Sequence, residues 1–203
     1  MQNLILYAVS YLLGSIPSGL ILAKIFGHVD IKNEGSKSIG ATNVLRVLKQ
    51  KDPKLAKKLA ILTIVCDVLK GVLPLIVASY LGASQSVLWT MAVLSVAGHC
   101  FSIFLGFQGG KGVATGAGVI AFFLPVEIII ALAVWFVVGK FLKISSLASL
   151  CALIALIASS FIIHPELDEI YTHAPILIIA FLVVYKHIPN IVRLISGKEK
   201  KVV

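Results

Sequence analysis

Five apolar stretches alternate with short polar segments along this chain: Leu4–Ala23, Leu59–Leu81, Val87–Leu105, Leu147–Ile163 and Ala174–Tyr185. Each approaches the ~20 apolar residues that a membrane-crossing helix needs. The last is short and is expected to continue into the tail. A sixth stretch, Val113–Leu142, is too long for one ordinary span and short for two. Pro125 and Glu127 near its middle suit a turn, which predicts two short helices, 113–124 and 126–142. At ~1.5 Å per residue these reach only about 18 and 26 Å, so local thinning of the bilayer or a partly re-entrant path would accommodate them. The expected total is seven spans.

The polar segments test that count. Half of the 18 Lys and Arg residues lie between Lys24 and Lys58. Lys111 falls in the next loop on the same side, Lys140 and Lys143 in the one after, and Lys186, Arg193, Lys198, Lys200 and Lys201 in the tail; Lys70 stands alone inside a span. The opposite connections, near 82–86, 124–127 and 164–173, hold no Lys or Arg but carry Glu127, Glu166, Asp168 and Glu169. Basic residues collect in cytoplasmic loops, which places the N-terminus outside and the C-terminus inside. Reading Val113–Leu142 as one helix would put the basic tail outside, so seven spans fit better.

Composition agrees. The 203 residues are 59% hydrophobic and only 13% charged, with a mean hydropathy of +1.01, against roughly a quarter charged in soluble domains. The expected fold is an all-α integral membrane protein of seven transmembrane helices, one domain over residues 1–203. The net charge of +9 is then a cytoplasmic-face charge that signals topology and attracts anionic lipid. Nucleic-acid binding is excluded, because no aromatic residues interleave with the Lys49–Lys58 run. Cys66, Cys100 and Cys151 lie in apolar stretches without C-x-x-C spacing and read as small core residues. The five histidines show no ligand spacing, so no metal is expected. The first span lacks a preceding positive charge and does not read as a cleaved signal peptide.

The chemistry sits between the spans. Gly35-Ser36-Lys37-Ser38-Ile39-Gly40-Ala41-Thr42-Asn43-Val44-Leu45-Arg46 and Gly109-Gly110-Lys111-Gly112-Val113-Ala114-Thr115-Gly116 combine free backbone N–H groups, small side chains and a cation. That combination suits a phosphate. A nucleotide-binding loop is excluded at Lys111, since it needs Ser or Thr directly after the lysine and a strand before it. In the tail, His187 and Asn190 stand three residues apart, with Pro189 expected to end one helix and begin another. Asn190 can donate to a phosphate or hydroxyl, and His187 can orient or deprotonate one. All these groups, and Ser145-Ser146 ahead of the sixth span, fall on the same predicted side.

Polar residues within the spans read mainly as structural. Gly14-Ser15-Ile16-Pro17-Ser18-Gly19 allows close helix approach and a kink. Asp67 and Lys70 share one helix face as a neutralising pair. His99 is more readily a structural hydrogen-bonder than a catalyst.

Taken in order, Gly14–Gly19, Gly35–Asn43 with Arg46, Asp67–Gly71, Gly98-His99, Gly109–Gly112 and His187-x-x-Asn190-x-x-Arg193 resemble the bacterial acyl-phosphate:glycerol-3-phosphate acyltransferases, the PlsY family. The resemblance covers nearly the whole chain. It implies a multi-pass enzyme of the bacterial inner membrane, with its active site at the cytoplasmic face. Such an enzyme moves a fatty acyl group from acyl phosphate to the 1-hydroxyl of sn-glycerol 3-phosphate, giving lysophosphatidic acid and inorganic phosphate. No metal, cofactor, nucleotide or nucleic acid is implied; the partners are the two substrates and membrane lipid.

On that resemblance, Ser36, Gly40 and Asn43 are assigned to the acyl-phosphate group, with the acyl tail in a groove between helices. Lys111 and Arg46 hold glycerol 3-phosphate, helped by Ser146, His187 and Asn190, and Arg46, Lys111, His187 and Asn190 are the expected catalytic residues. Arg46 is the better two-point phosphate ligand, because its fork matches two oxygens. Lys37, Gly109, Gly110, Gly112 and Thr115 complete the expected binding set. A good leaving group lets positioning and charge neutralisation supply most of the rate. The proton goes to His187 or, preferably, to the donor's own phosphate. The H-x-x-x-x-D acyltransferase pattern is absent, since Asn33, Phe104, Glu169, Ile178 and Val192 stand five residues after the histidines. The alternative function is a membrane transporter of a phosphorylated solute, which would also use glycine-rich half-helix ends.

Overall fold

The structure, a computed structural model, describes residues 2–167 and 169–201. Asp168, one of the acids expected on the outer connections, lies outside the described residues. Nine α-helices and one 3-10 turn, with no strands, make up the described chain. They are α1 Gln2–Gly14, α2 Ser18–Gly27, α3 Ala41–Leu48, α4 Pro53–Tyr80, α5 Gln85–Cys100, α6 Val113–Phe123, α7 Pro125–Leu142, α8 Ser145–Ile163 and α9 Ala174–Ile195.

Among the described residues, five paths are long and apolar enough to cross a membrane: Asn3–Gly27, Pro53–Tyr80, Pro125–Leu142, Ser145–Ile163 and Ala174–Ile195. These are the helices of an integral membrane protein. Helices α5 and α6, with 16 and 11 residues, are shorter, at about 24 and 16 Å. Much of α7 faces outward with Ile129, Phe136 and Phe141 more than half exposed, as lipid-facing positions are.

The first path is broken where the sequence predicts a kink. Helix α1 stops at Gly14 and α2 restarts at Ser18 after Pro17. The glycines there allow backbone contact: a Cβ on Gly14 would overlap the Ser95 carbonyl of α5, and one on Gly98 would overlap the Tyr11 carbonyl of α1. Hydroxyls tie the same seam, with Ser10 Oγ donating to the Met91 carbonyl at 2.7 Å and Ser102 Oγ to the Ser15 carbonyl at 2.6 Å.

Val113–Leu142 divides as predicted, into α6 and α7 with Pro125 at the first position of α7. The structure adds one helix and corrects one local reading. The glycine-laced segment after Gly35 contains a helix, α3, whose Val44, Val47 and Leu48 pack on Leu20, Ala23, Val29, Ala56 and Leu59 from α2, α4 and the loop between α2 and α3. Pro189 does not divide the tail, because α9 runs unbroken past it to Ile195. A proline inside a buried membrane helix is tolerated where neighbouring packing supports the freed backbone group.

Candidate active site

One cavity of about 740 Å³ joins nearly all of the polar segments singled out in the sequence. Its polar end is formed by Ser36, Gly40, Asn43 and Arg46, by Lys111 and Gly112, by Ser146, and by His187, Asn190 and Arg193. Its other end is an apolar trough: Ile64 and Val68 of α4 and Leu132 and Trp135 of α7 form walls over the Ala114, Ala117 and Ala121 face of α6.

Each polar group is delivered by a local device. Helix α3 buries its apolar side against α2 and α4, which turns Thr42 and Arg46, one helical turn apart, toward the cavity. The loop before it is closed by Asn43. The Asn43 amide donates to the carbonyls of Ile31, Glu34 and Ser38 at 2.9, 3.1 and 2.8 Å, and its Oδ1 accepts from the Ser36 N–H at 2.8 Å. Gly35 sits at φ +63 directly beneath that side chain, where a Cβ would overlap Oδ1. Asn43 is thus committed to shaping the loop, and Ser36 and Gly40 are the groups it presents.

Lys111 precedes α6, whose N-cap Gly112 has φ +80, a left-handed conformation that glycine adopts without steric cost. Burial pushes the Lys111 ammonium down from its ordinary 10.5 to about 8; the Glu199 carboxylate opposes that, while Arg193 and Arg46 add to it.

On α9, His187 and Asn190 are buried on the same face, with Arg193 one turn further. Ser146, in the first turn of α8, faces them. Thr42 Oγ1 and Ser145 Oγ, both on the cavity lining, lie 3.2 Å apart and link α3 to the start of α8.

Glu199 was not anticipated from the sequence. Its carboxylate accepts from Ser146 Oγ at 2.8 Å, from Asn190 Nδ2, and from Arg193 Nε at 2.6 Å. Burial alone would raise its pKa, but the hydrogen bonds from Arg193, Ser146 and Asn190 hold it below the ordinary carboxylate value. It hides in the basic run Lys198-Glu199-Lys200-Lys201, whose charge pattern reads only as a topology signal.

Four expected binding residues lie outside the cavity lining. Lys37 is exposed on the loop. Gly109 and Gly110 pack against the end of α5, and Thr115 is fully buried where α6 meets Gly71 of α4.

Comparison with known proteins bears on this site. The glycerol-3-phosphate acyltransferase family profile matches residues 4–197. Over all 203 residues of both chains, the sequence is 95% identical to a glycerol-3-phosphate acyltransferase of Campylobacter concisus and 64% identical to one of Campylobacter lari. Among solved structures, the fold resembles PlsY (YgiH), an integral membrane glycerol 3-phosphate acyltransferase, in its glycerol 3-phosphate form. That match has a TM-score of 0.86 and 35% identity, covering 99% of this chain and 96% of that one. The lysophosphatidic acid form of PlsY matches with a TM-score of 0.85.

Proposed function

Since the chain belongs to the glycerol-3-phosphate acyltransferase family, we propose that it transfers a fatty acyl group from acyl phosphate to the 1-hydroxyl of sn-glycerol 3-phosphate. The products are lysophosphatidic acid and inorganic phosphate. The observation that carries this reading is the continuity of one cavity, cationic at one end and apolar along the other. Two phosphates and an acyl chain are the reactants that such a shape suits.

In this scheme Ser36, Gly40 and the loop closed by Asn43 take the donor phosphate, and the acyl chain lies along Ala114, Ala117 and Ala121. Lys111 and Arg46 take the phosphate of glycerol 3-phosphate. Ser146, His187 and Asn190 orient its glycerol hydroxyls. Gly109, Gly110 and Gly112 shape the turn, Thr115 seats α6 on α4, and Lys37 adds positive charge near the entrance. The 1-hydroxyl oxygen attacks the acyl carbonyl carbon, the carbon–oxygen bond to phosphate breaks, and the hydroxyl proton passes to the departing phosphate. Holding both reactants in attacking geometry and neutralising their charge supplies the rate.

The chain would cross the membrane seven times, with the α1–α2 path as the first span and α5 and α6 as short ones. Its N-terminus would be outside and its C-terminus in the cytoplasm of a bacterium, following the distribution of Lys and Arg. A soluble acceptor would then enter from the cytosol and a lipid donor from the bilayer. The whole of residues 1–203 forms one domain in this reading. A transporter would need a polar path at the far end of the cavity, but Ala121 and Ile128 stand there.

The test is a transfer assay on purified protein with palmitoyl phosphate and radiolabelled glycerol 3-phosphate. The expected result is equimolar labelled lysophosphatidate and inorganic phosphate, with no product from palmitoyl-CoA. Product from the thioester at a comparable rate would overturn the donor assignment.

A further inference from the structure

The turn that carries Lys111 is moulded on the end of α5. A Cβ on Gly109 would fall on the carbonyl oxygens of His99 and Cys100, and one on Gly112 would sit 2.9 Å from Cys100 Sγ. At Gly110 the obstacle is a side chain: the nearest atoms to an added Cβ are Nε2, Cε1 and Cδ2 of the His99 ring. The Gly110 N–H also donates to the His99 carbonyl at 3.0 Å. Gly110 is not among the glycines with positive φ, so its lack of a side chain answers to that ring and not to the backbone.

His99 is buried and borders the cavity beside Lys111. Its Nδ1 lies 3.7 Å from Asp67 Oδ1, which faces it as a charge at a distance too long for a hydrogen bond. Asp67 pairs with Lys70 at 2.9 Å, and Lys70 Nζ donates to the Ile16 carbonyl at 2.7 Å, in the break between α1 and α2. A chain of contacts therefore runs from that break through α4 and α5 to the Lys111 turn. None of these groups is needed to hold a phosphate.

We propose that His99 is a positioning residue: its ring, steadied by the Asp67–Lys70 pair, is the surface against which Gly110 is pressed, and this holds Lys111 at the glycerol 3-phosphate subsite. The inference rests on the reading of Lys111 as a ligand of that phosphate. Without the ring the turn relaxes and Lys111 withdraws, while the acyl-phosphate loop around Asn43 is untouched.

A double-mutant cycle over His99→Ala and Gly110→Ala tests it, reading KM for each substrate separately and including Lys111→Ala. Gly110→Ala alone is expected to raise KM for glycerol 3-phosphate about tenfold or more, and His99→Ala to do likewise, both leaving KM for acyl phosphate within about threefold. In the His99→Ala background, Gly110→Ala should add less than about threefold, because nothing remains for its methyl group to strike. Equal penalties in both backgrounds, or equal rises in both KM values, would overturn the proposal. Should His99→Ala not accumulate as monodisperse protein, His99→Asn, which removes the ring but keeps a polar group by Asp67, carries the same cycle. If Lys111→Ala leaves KM for glycerol 3-phosphate unchanged, the underlying reading of Lys111 fails. If it raises that KM while the cycle is additive, only the role of His99 fails.

Discussion

His187 Nδ1 lies 2.8 Å from the carbonyl oxygen of Val183, one helical turn back on α9. A carbonyl only accepts, so Nδ1 carries the proton, and in a neutral ring Nε2 keeps its lone pair. The ring is thereby fixed as an acceptor for a substrate hydroxyl. Replacing His187 with Ala is expected to lower kcat by about tenfold to a hundredfold through lost orientation. Steady-state assays with both substrates saturating check this, and a loss of about ten-thousandfold would assign the proton to His187 instead of the donor phosphate.

Asn43 is expected to matter through the loop it closes. Asn43→Ala removes the partner of the Ser36 N–H and of three carbonyls. The Ile31 carbonyl is the buried one of these partners and costs about 1–3 kcal/mol when left unpaired. The loop also loses its other ties, so both the melting temperature and the affinity for acyl phosphate should fall. Thermal unfolding in detergent together with KM for the donor measures both; a normal melting temperature would contradict the loop-closing role.

Lys111 sets a pH limit. Its ammonium is held near 8, so it is charged below that pH and neutral above it. Affinity for the acceptor phosphate should therefore weaken, with KM rising, as the pH passes from about 7 to 9. Arginine stays charged across that window, so Lys111→Arg should flatten the rise. Glu199 favours the charged form of Lys111, and Glu199→Gln should move the rise to lower pH. The acceptor phosphate, with a second pKa of about 6, is already ionised across that window. A KM for glycerol 3-phosphate that stays flat from about pH 7 to 9 in the wild type would therefore remove Lys111 from the subsite.

Much of this site is legible in the sequence because its parts are local. The glycine-rich turn at Lys111, the Ser36–Arg46 segment and the His187–Asn190–Arg193 spacing each stand out within a few residues, and one cavity gathers residues from all three. The break of Val113–Leu142 is equally readable, since Pro125 and the placement of Lys140 and Lys143 report the same turn. Helix α3 escapes notice because it has only eight residues, and its apolar side reveals itself only against α2 and α4. Pro189 misleads because its backbone cost is absorbed by tertiary packing, which no local rule contains. Glu199 is invisible for a related reason: its meaning depends on Ser146, more than fifty residues away in the chain.

Arg46 on α3 and Lys111 in the turn before α6 are proposed to hold one acceptor phosphate beside an acyl trough. The most direct measurement is kcat/KM for glycerol 3-phosphate in Arg46→Ala and Lys111→Ala, each purified as folded protein and saturated with acyl phosphate. Losing charged hydrogen bonds worth about 1.5–3 kcal/mol each, together with misplacement of the acceptor, predicts a fall of about a hundredfold or more in both. Wild-type values in both variants would contradict the account.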